Sequence, residues 1–464
     1  MNRRNLLKTL SLSLGGAIIS TDVIGKIAEN DFFYELPPNP LHKPIEKAVT
    51  AITLGAGGRG NVYGGFALNF PSNLKIVGVA EPIPFRNDKY AKAHQIPDDN
   101  RFKTWEDVFT RPKFADAIII TTPDNLHYAP CMKALEMGYD VLLEKPIAPT
   151  EKECRDILAM AKKQGRIVAV CHVLRYAPYF VKMKELIAKG AIGRVISVQH
   201  LEPIEHTHMA HSYVRGNWHN SKNTTPILLA KSCHDLDIIK WILDKRSKEI
   251  VAMGDLTWFK KENAPAGSSD RCLDCKVERE CPYSAVKQYH DKLGRTAVLD
   301  IPLELKTKEE KQKFVLEKLK TSDYGRCVYR MDNDQPDHYI SNILFEDAIT
   351  ASFSMEAFTN YGGRRTRVFG SMGDMVGDMK ELVVTDFKTG KSITFRPQAE
   401  DVEGYKNSGH GGGDWLLARD FAQAVAHQDP KMLTSTIDDS IESHIMGFVA
   451  EKSRKTKKIE KIKL

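Results

Sequence analysis

Three kinds of residue in this chain carry the spacing that chemistry needs. The first is Gly55-x-Gly57-x-x-Gly60, set directly after the apolar run Ile52-Thr-Leu54. Glycines at this interval let a strand turn sharply into a helix, let the backbone approach a pyrophosphate, and let the helix pack close on its sheet. The helix N-terminus then aims unpaired N–H groups at the phosphates. A second apolar strand, Leu74–Ala80, ends on Glu81, where a ribose-binding acid belongs. Glu81 accepts hydrogen bonds from ribose hydroxyls and repels a 2′-phosphate, so NAD is expected over NADP; Arg86 nearby leaves NADP open. The second is Lys145, just past the strand Asp140–Leu143, with Pro146 fixing the turn behind it. An ammonium at that level of an open α/β sheet faces ligands, and it can hold a substrate hydroxyl while hydride leaves the carbon. The third is a set of four cysteines, Cys272-x-x-Cys275, Cys281 and Cys327, inside a polar insertion over 260–335.

The elements that must position these groups divide the chain in two. Strand and helix alternate from about Ala48 to Cys171, with strands at 52–54, 74–80, 115–122, 140–143 and 166–171 and helices at 125–137 and 150–164. That grammar predicts a parallel, doubly wound Rossmann sheet over 48–172. From 173 to 464 the pattern changes to long alternating runs at 194–201, 250–259, 338–345, 349–355, 366–370, 381–387 and 392–396. This predicts an α/β domain with a large, open, mostly antiparallel sheet, one face solvated or partner-covered, closed by helices within 414–452. The fold class is therefore α/β, in two domains.

Before the first strand, residues 31–47 hold Pro37, Pro38, Pro40 and Pro44 and read as a linker. Residues 1–30 read as a leader. Asn2-Arg-Arg-Asn-Leu-Leu-Lys8 resembles a twin-arginine signal, and the apolar run after it is too short to span a bilayer. Periplasmic export of a folded, cofactor-loaded protein is the expectation; a leader on a cytoplasmic protein is the alternative. The net charge of +7 resides in the ends: residues 1–10 and 451–464 carry +3 and +5, leaving about −1 for the body. That distribution argues against a nucleic-acid surface, and the basic end reads as a solvated tail.

The motifs GAGGRG at 55–60, Ala-Glu-Pro at 80–82, Thr-Pro-Asp-x-x-His at 122–127 and Glu-Lys-Pro at 144–146 together resemble the glucose–fructose oxidoreductase/inositol dehydrogenase (Gfo/Idh/MocA) family over roughly residues 48–450. The resemblance implies an NAD(P)-dependent oxidoreductase moving hydride between nicotinamide and a secondary alcohol or ketone of a sugar, sugar derivative or cyclitol. It implies a carbohydrate substrate and a homo-oligomer formed through the open sheet. It assigns the dinucleotide to Gly55, Gly57, Gly58, Arg59, Gly60, Glu81, Thr122, Pro123, His127, Glu144 and Lys145. The family's Asp-x-x-x-His matches Ala230-Lys-Ser-Cys-His234 here, so the aspartate position is Ala230. His234 is the expected general base, since its intrinsic pKa is near neutral and a helix start disfavours imidazolium. Arg175, Tyr176, Lys231 and His410 are candidate substrate contacts. The Ala230 departure keeps two alternatives open: a glycoside-cleaving enzyme that oxidises its substrate transiently with retained NAD, and a non-catalytic sugar- or nucleotide-binding protein.

For the clustered cysteines, a Cys-x-x-Cys knuckle completed by Cys281 and Cys327 gives a closed four-sulfur shell, the pattern of a structural zinc. Two disulfides, free thiols and an iron–sulfur cluster are the alternatives. The remaining Cys131, Cys154, Cys171 and Cys233 sit singly on apolar elements and read as core.

Overall fold

The structure is a computed structural model that describes residues 32–34, 39–397, 405 and 408–464. The leader over 1–30, its twin-arginine motif and part of the proline-rich linker lie outside the described residues.

Strands are labelled in chain order from β1 (Phe32–Tyr34). The first sheet is built by β2 (Val49–Leu54), β3 (Leu74–Ala80), β4 (Arg101–Phe102), β5 (Ala117–Ile120), β6 (Asp140–Leu143) and β7 (Val168–Val170). All are parallel, in the spatial order β4-β3-β2-β5-β6-β7. β5 and β6 are buried along their whole length, as central strands covered on both faces must be. Strand order reverses between β2 and β5, and a crevice for ligands opens at such a switch point, beyond the carboxyl ends of the strands. β4 escaped sequence analysis because two residues carry no periodicity.

The second sheet has ten strands in the order β1-β15-β14-β13-β12-β8-β11-β10-β9-β16. They are β8 (Val195–Pro203), β9 (Ser247–Asp255), β10 (His338–Phe345), β11 (Thr350–Glu356), β12 (Arg365–Gly370), β13 (Gly373–Gly377), β14 (Leu382–Asp386), β15 (Ser392–Pro397) and β16 (Glu460–Lys461). Among the described residues of this sheet, only β1–β15 and β8–β11 pair in parallel. Burial alternates along β10 and β11, and the inner face shares a core with the helices Pro178–Ala188 and Cys233–Leu243. The outer face leaves the cross-strand neighbours Met253 and Ile340 exposed.

Three features differ from the sequence expectation. The helix Gly413–His427, expected to close the second domain, buries Trp415, Leu417 and Phe421 against Tyr63 and Phe66 of the Rossmann core. The basic tail is not a free end: β16 pairs with β9, and Lys452 bonds Glu460 at 2.6 Å. The 260–335 insertion contains a true helix, Lys308–Thr321, started by the capping box Thr307/Glu310.

The two sheets are pinned by Arg175, which follows β7. Its Nε and Nη2 donate to the two oxygens of Asp237 at 2.7 and 2.6 Å, and its remaining donors reach the carbonyls of Thr434 and Asp439. Asp237 lies on the helix Cys233–Leu243 of the second domain. Both residues are buried. Arg175→Ala would strand the Asp237 carboxylate, a loss of roughly 3–5 kcal/mol. A marked fall in thermal unfolding temperature is expected, and an unchanged one would show that the pin holds nothing.

Candidate functional site

The glycine loop is dictated by space. Gly55 has φ of +92°, and a Cβ there would stand 2.8 Å from the Thr121 carbonyl oxygen. At Gly60 a Cβ would come within 2.2 Å of the Gly55 oxygen. Gly57 and Gly58, by contrast, have nothing within 4 Å of such an atom, so the helix Gly58–Asn69 presents an open N-terminus. No side chain caps that terminus and no acid lies in its first turn, so its N–H groups suit a pyrophosphate. Glu81 follows β3 directly, beside the loop, and accepts the backbone N–H groups of Ala56 and Ile83 at 2.8 and 2.9 Å. It braces the glycine loop, a job its position in sequence did not reveal. These residues fit a bound dinucleotide.

Lys145 emerges at the carboxyl end of β6, one residue beyond Glu144, and its peptide bond to Pro146 is cis. His127 ties this turn to the end of β5: its ring nitrogens meet Pro146 O at 2.7 Å and Thr122 O at 3.0 Å. Thr122, Pro123 and His127 therefore form one wall with the Lys145 turn. The ammonium of Lys145 donates to Ala230 O at 2.7 Å, so the position that lacks the family's carboxylate still anchors the lysine through its backbone. His234 lies four residues on, at the start of its helix, with a buried Nδ1 that meets no partner. Its ring centroid is 5.8 Å from that of His410 and 5.9 Å from that of His172. His410 in turn sets Nδ1 against Asp414, at 3.1 and 3.3 Å from its two oxygens. Lys145, His234 and His410 thus come together from three distant segments.

Other expected contacts are placed differently. Arg59 turns away from the open helix start: Nε meets Glu144 at 2.5 Å, and Nη2 meets Tyr63 at 2.6 Å and Asp414 at 2.9 Å. Lys231 bonds Glu202 at 2.8 Å, and Arg364 bridges Glu202 and Asp235, each at 2.8 Å, so its charge is neutralised within a buried network. Arg175 and Tyr176, read as ligand donors, serve the interdomain pin and the Thr434–Ser435 turn instead. Cys272, Cys275, Cys281 and Cys327 line one cavity, but among the described residues no three His, Cys, Asp or Glu side chains stand at the spacing of a single metal ion. Tyr63 and Asp414 as partners of Arg59, and His172 and His444 behind His234, were missed; only the Arg59/Tyr63 helical interval was visible in sequence.

The electrostatics of the site follow from burial. Desolvation, then the Lys145 ammonium, holds His234 well below the ordinary imidazole range. Burial with Arg175 does the same for His172, and burial with His172 takes His444 down to about 3. Burial would raise the carboxyls of Glu144 and Asp414, but Arg59 outweighs it and both end lowered. Folded pKa values below the unfolded 6.5 mean that the unfolded chain takes up protons first as pH falls. Stability is present above about pH 6.5 and is lost below it, by about 1.4 kcal/mol per buried imidazole one unit down. The carboxylates titrate well below that window. Unfolding temperature should fall between pH 7.5 and 5.5, and His444→Gln should flatten the fall; a flat or rising profile in the unmodified protein would contradict the neutral imidazole cluster.

Comparison with known proteins adds the family. Residues 50–172 match the oxidoreductase family model with NAD-binding Rossmann fold (GFO_IDH_MocA), and residues 180–301 match the GFO/IDH/MocA C-terminal domain. YteT of Bacillus subtilis (strain 168), itself named only provisionally as an oxidoreductase, is 26% identical over 378 residues, 76% of this chain and 83% of that protein. Inositol 2-dehydrogenase 1 of Saccharopolyspora erythraea is 32% identical over 137 residues, which span 29% of this chain and only 36% of that protein. Among solved structures, a levoglucosan dehydrogenase in complex with NADH and levoglucosan superposes with a TM-score of 0.65 at 16% identity, covering 90% of this chain and all of the other. The two family models, over residues 50–172 and 180–301, together match just over half of the chain and place it in the GFO/IDH/MocA oxidoreductase family.

Proposed function

We propose that the protein is an NAD-dependent oxidoreductase that moves hydride between nicotinamide and a secondary alcohol or ketone of a sugar, sugar derivative or cyclitol. The observation that carries this reading is the meeting of Lys145, His234 and His410 at the carboxyl edge of the Rossmann sheet, beside a glycine loop open to a pyrophosphate. The relatives named for inositol and levoglucosan act on polyhydroxylated rings and support the substrate class. Gly55, Gly57, Gly58 and Gly60 would receive the pyrophosphate and Glu81 the ribose. Bound NAD supplies the hydride acceptor. The chain supplies the rest: Lys145 holds the substrate oxygen and stabilises it as its proton departs, and neutral His234 receives that proton. His410, held through Nδ1 by Asp414, is left with Nε2 to meet a substrate hydroxyl.

Lys145→Ala and His234→Ala should each lower kcat by about 10²–10⁴-fold, the usual worth of general acid–base help, with the Kd for NAD(H) nearly unchanged. Full turnover in both variants on an accepted sugar would sink the assignment. Substrate consumed with no net change in the cofactor would make the oxidation transient rather than net.

The same reading extends to location and assembly. The protein is exported folded, with NAD aboard, by the twin-arginine motif at Arg3 and Arg4. The outer face of the ten-stranded sheet, with Met253 and Ile340 exposed, forms the subunit contact. Arg3→Lys with Arg4→Lys should retain the protein in the cytoplasm; unchanged fractionation of that double variant would reduce residues 1–30 to a plain leader.

A further inference from the structure

The 260–335 insertion holds a cluster that hydride transfer does not use. An antiparallel backbone bridge between Arg271 and Arg326 joins the two segments that carry Cys272 and Cys327, although they lie far apart in sequence. The short turns Cys272–Asp274 and Glu278–Glu280 deliver Cys275 and Cys281 to the same place. All four cysteines line one cavity, with Arg215, Glu278, Val328 and Tyr329 also on its wall.

Arg215 is the second observation. It comes from the segment Ala210–Arg215, outside the insertion, and is 2% exposed. Nε and Nη2 donate to the carbonyls of Arg326 and Tyr283 at 2.7 and 2.8 Å, Nη2 lies 3.5 Å from Cys272 Sγ, and Nη1 has no partner. Among the described residues no carboxylate pairs with it. The one carboxylate on the cavity wall, Glu278, is engaged by Ser284 and Arg279. A buried guanidinium without an anion is costly, and four neutral thiols do not supply one.

We propose that Cys272, Cys275, Cys281 and Cys327 hold a metal centre as four thiolates, with Arg215 as its buried counter-charge. Four thiolates around Zn²⁺, or around a doubly positive four-iron cluster, leave a formal charge of −2, which explains the orphaned cation. The four sulfurs stand wider than the shell of a single ion, so one zinc, with Zn–S of about 2.3 Å, must draw them inward, and a larger cluster less so. Either way the coordination shell is closed, and the centre is structural rather than a Lewis acid. Its consequence reaches the crevice. Asp300 of the insertion takes both Arg86 donors at 2.8 and 2.9 Å, close to Glu81, and Arg215 ends the helical run begun by His206–Met209, whose His208 lies within reach of the Lys231 and Lys145 charges. The centre thereby orders a wall that runs from the ribose end to the substrate end.

The test uses the full chain purified without oxygen. Elemental analysis should find one zinc per chain, or iron with an equal amount of acid-labile sulfide and visible absorption; these two arms tell the occupants apart, and either supports the proposal. Absence of stoichiometric metal overturns it, whether the denatured protein then titrates four free thiols or yields them only after reduction. Cys275→Ser should lose the metal. Because that variant risks misfolding, Arg215→Gln is the second probe, with all four ligands intact. Removal of such a supporting group should weaken metal retention against a chelator by about 10–100-fold. Retention equal to the unmodified protein would remove Arg215 from the proposal.

Discussion

One guanidinium sets the geometry of the crevice. Arg59 projects from the helix that the glycine loop starts and meets Glu144, Tyr63 and Asp414 at once. Glu144 immediately precedes Lys145, and Asp414 holds His410. Three segments that would otherwise meet the site independently are therefore referenced to one half-buried charge. Glu144 and Asp414 are 4% and 1% exposed, so neither carboxylate would be tolerated there without Arg59. The same contact draws the helix Gly413–His427 onto the Rossmann core, where Trp415 donates to Val62 O at 3.0 Å.

Around that reference the site is kept poor in protons. Lys145 and Arg364 lie near His234, and burial removes the water that would solvate an imidazolium. A neutral imidazole next to a fixed ammonium is a base beside an oxygen anchor, which is the division of labour that alcohol oxidation needs. The absent carboxylate at Ala230 fits this balance. The Lys145 ammonium is satisfied by a carbonyl, and the anions nearby, Glu202 and Asp235, are neutralised by Lys231 and Arg364.

The second sheet supplies a stable floor rather than chemistry, since its long strands bury one face and leave the other flat. The site is completed by what is inserted between those strands. The turns and short helices of 260–335 have a small core of their own, including Val286, Tyr289, Val315 and Leu319. So small a core offers little cohesion by itself, and the insertion also leans on the Arg86–Asp300 ion pair and on Arg215.

Much of this was written locally in the chain. The Rossmann strands, the glycine loop, Glu81 and the Lys145 turn are legible because strand periodicity, glycine conformation and the fixed proline ring act over a few residues. The second sheet was legible for the same reason, apart from β13 and the short strands β1 and β16. Partnerships across hundreds of residues were not. Arg59 looked like a dinucleotide ligand and Arg175 and Tyr176 like substrate contacts, because an exposed donor and a buried one have the same sequence. Only packing revealed that Asp414 and Asp237 claim those arginines, and that Cys272 and Cys327 face one cavity with Arg215. A residue's chemistry is a local property set by its type and backbone, whereas its partner is decided by which distant segments share a desolvated volume, and that the folded chain alone determines.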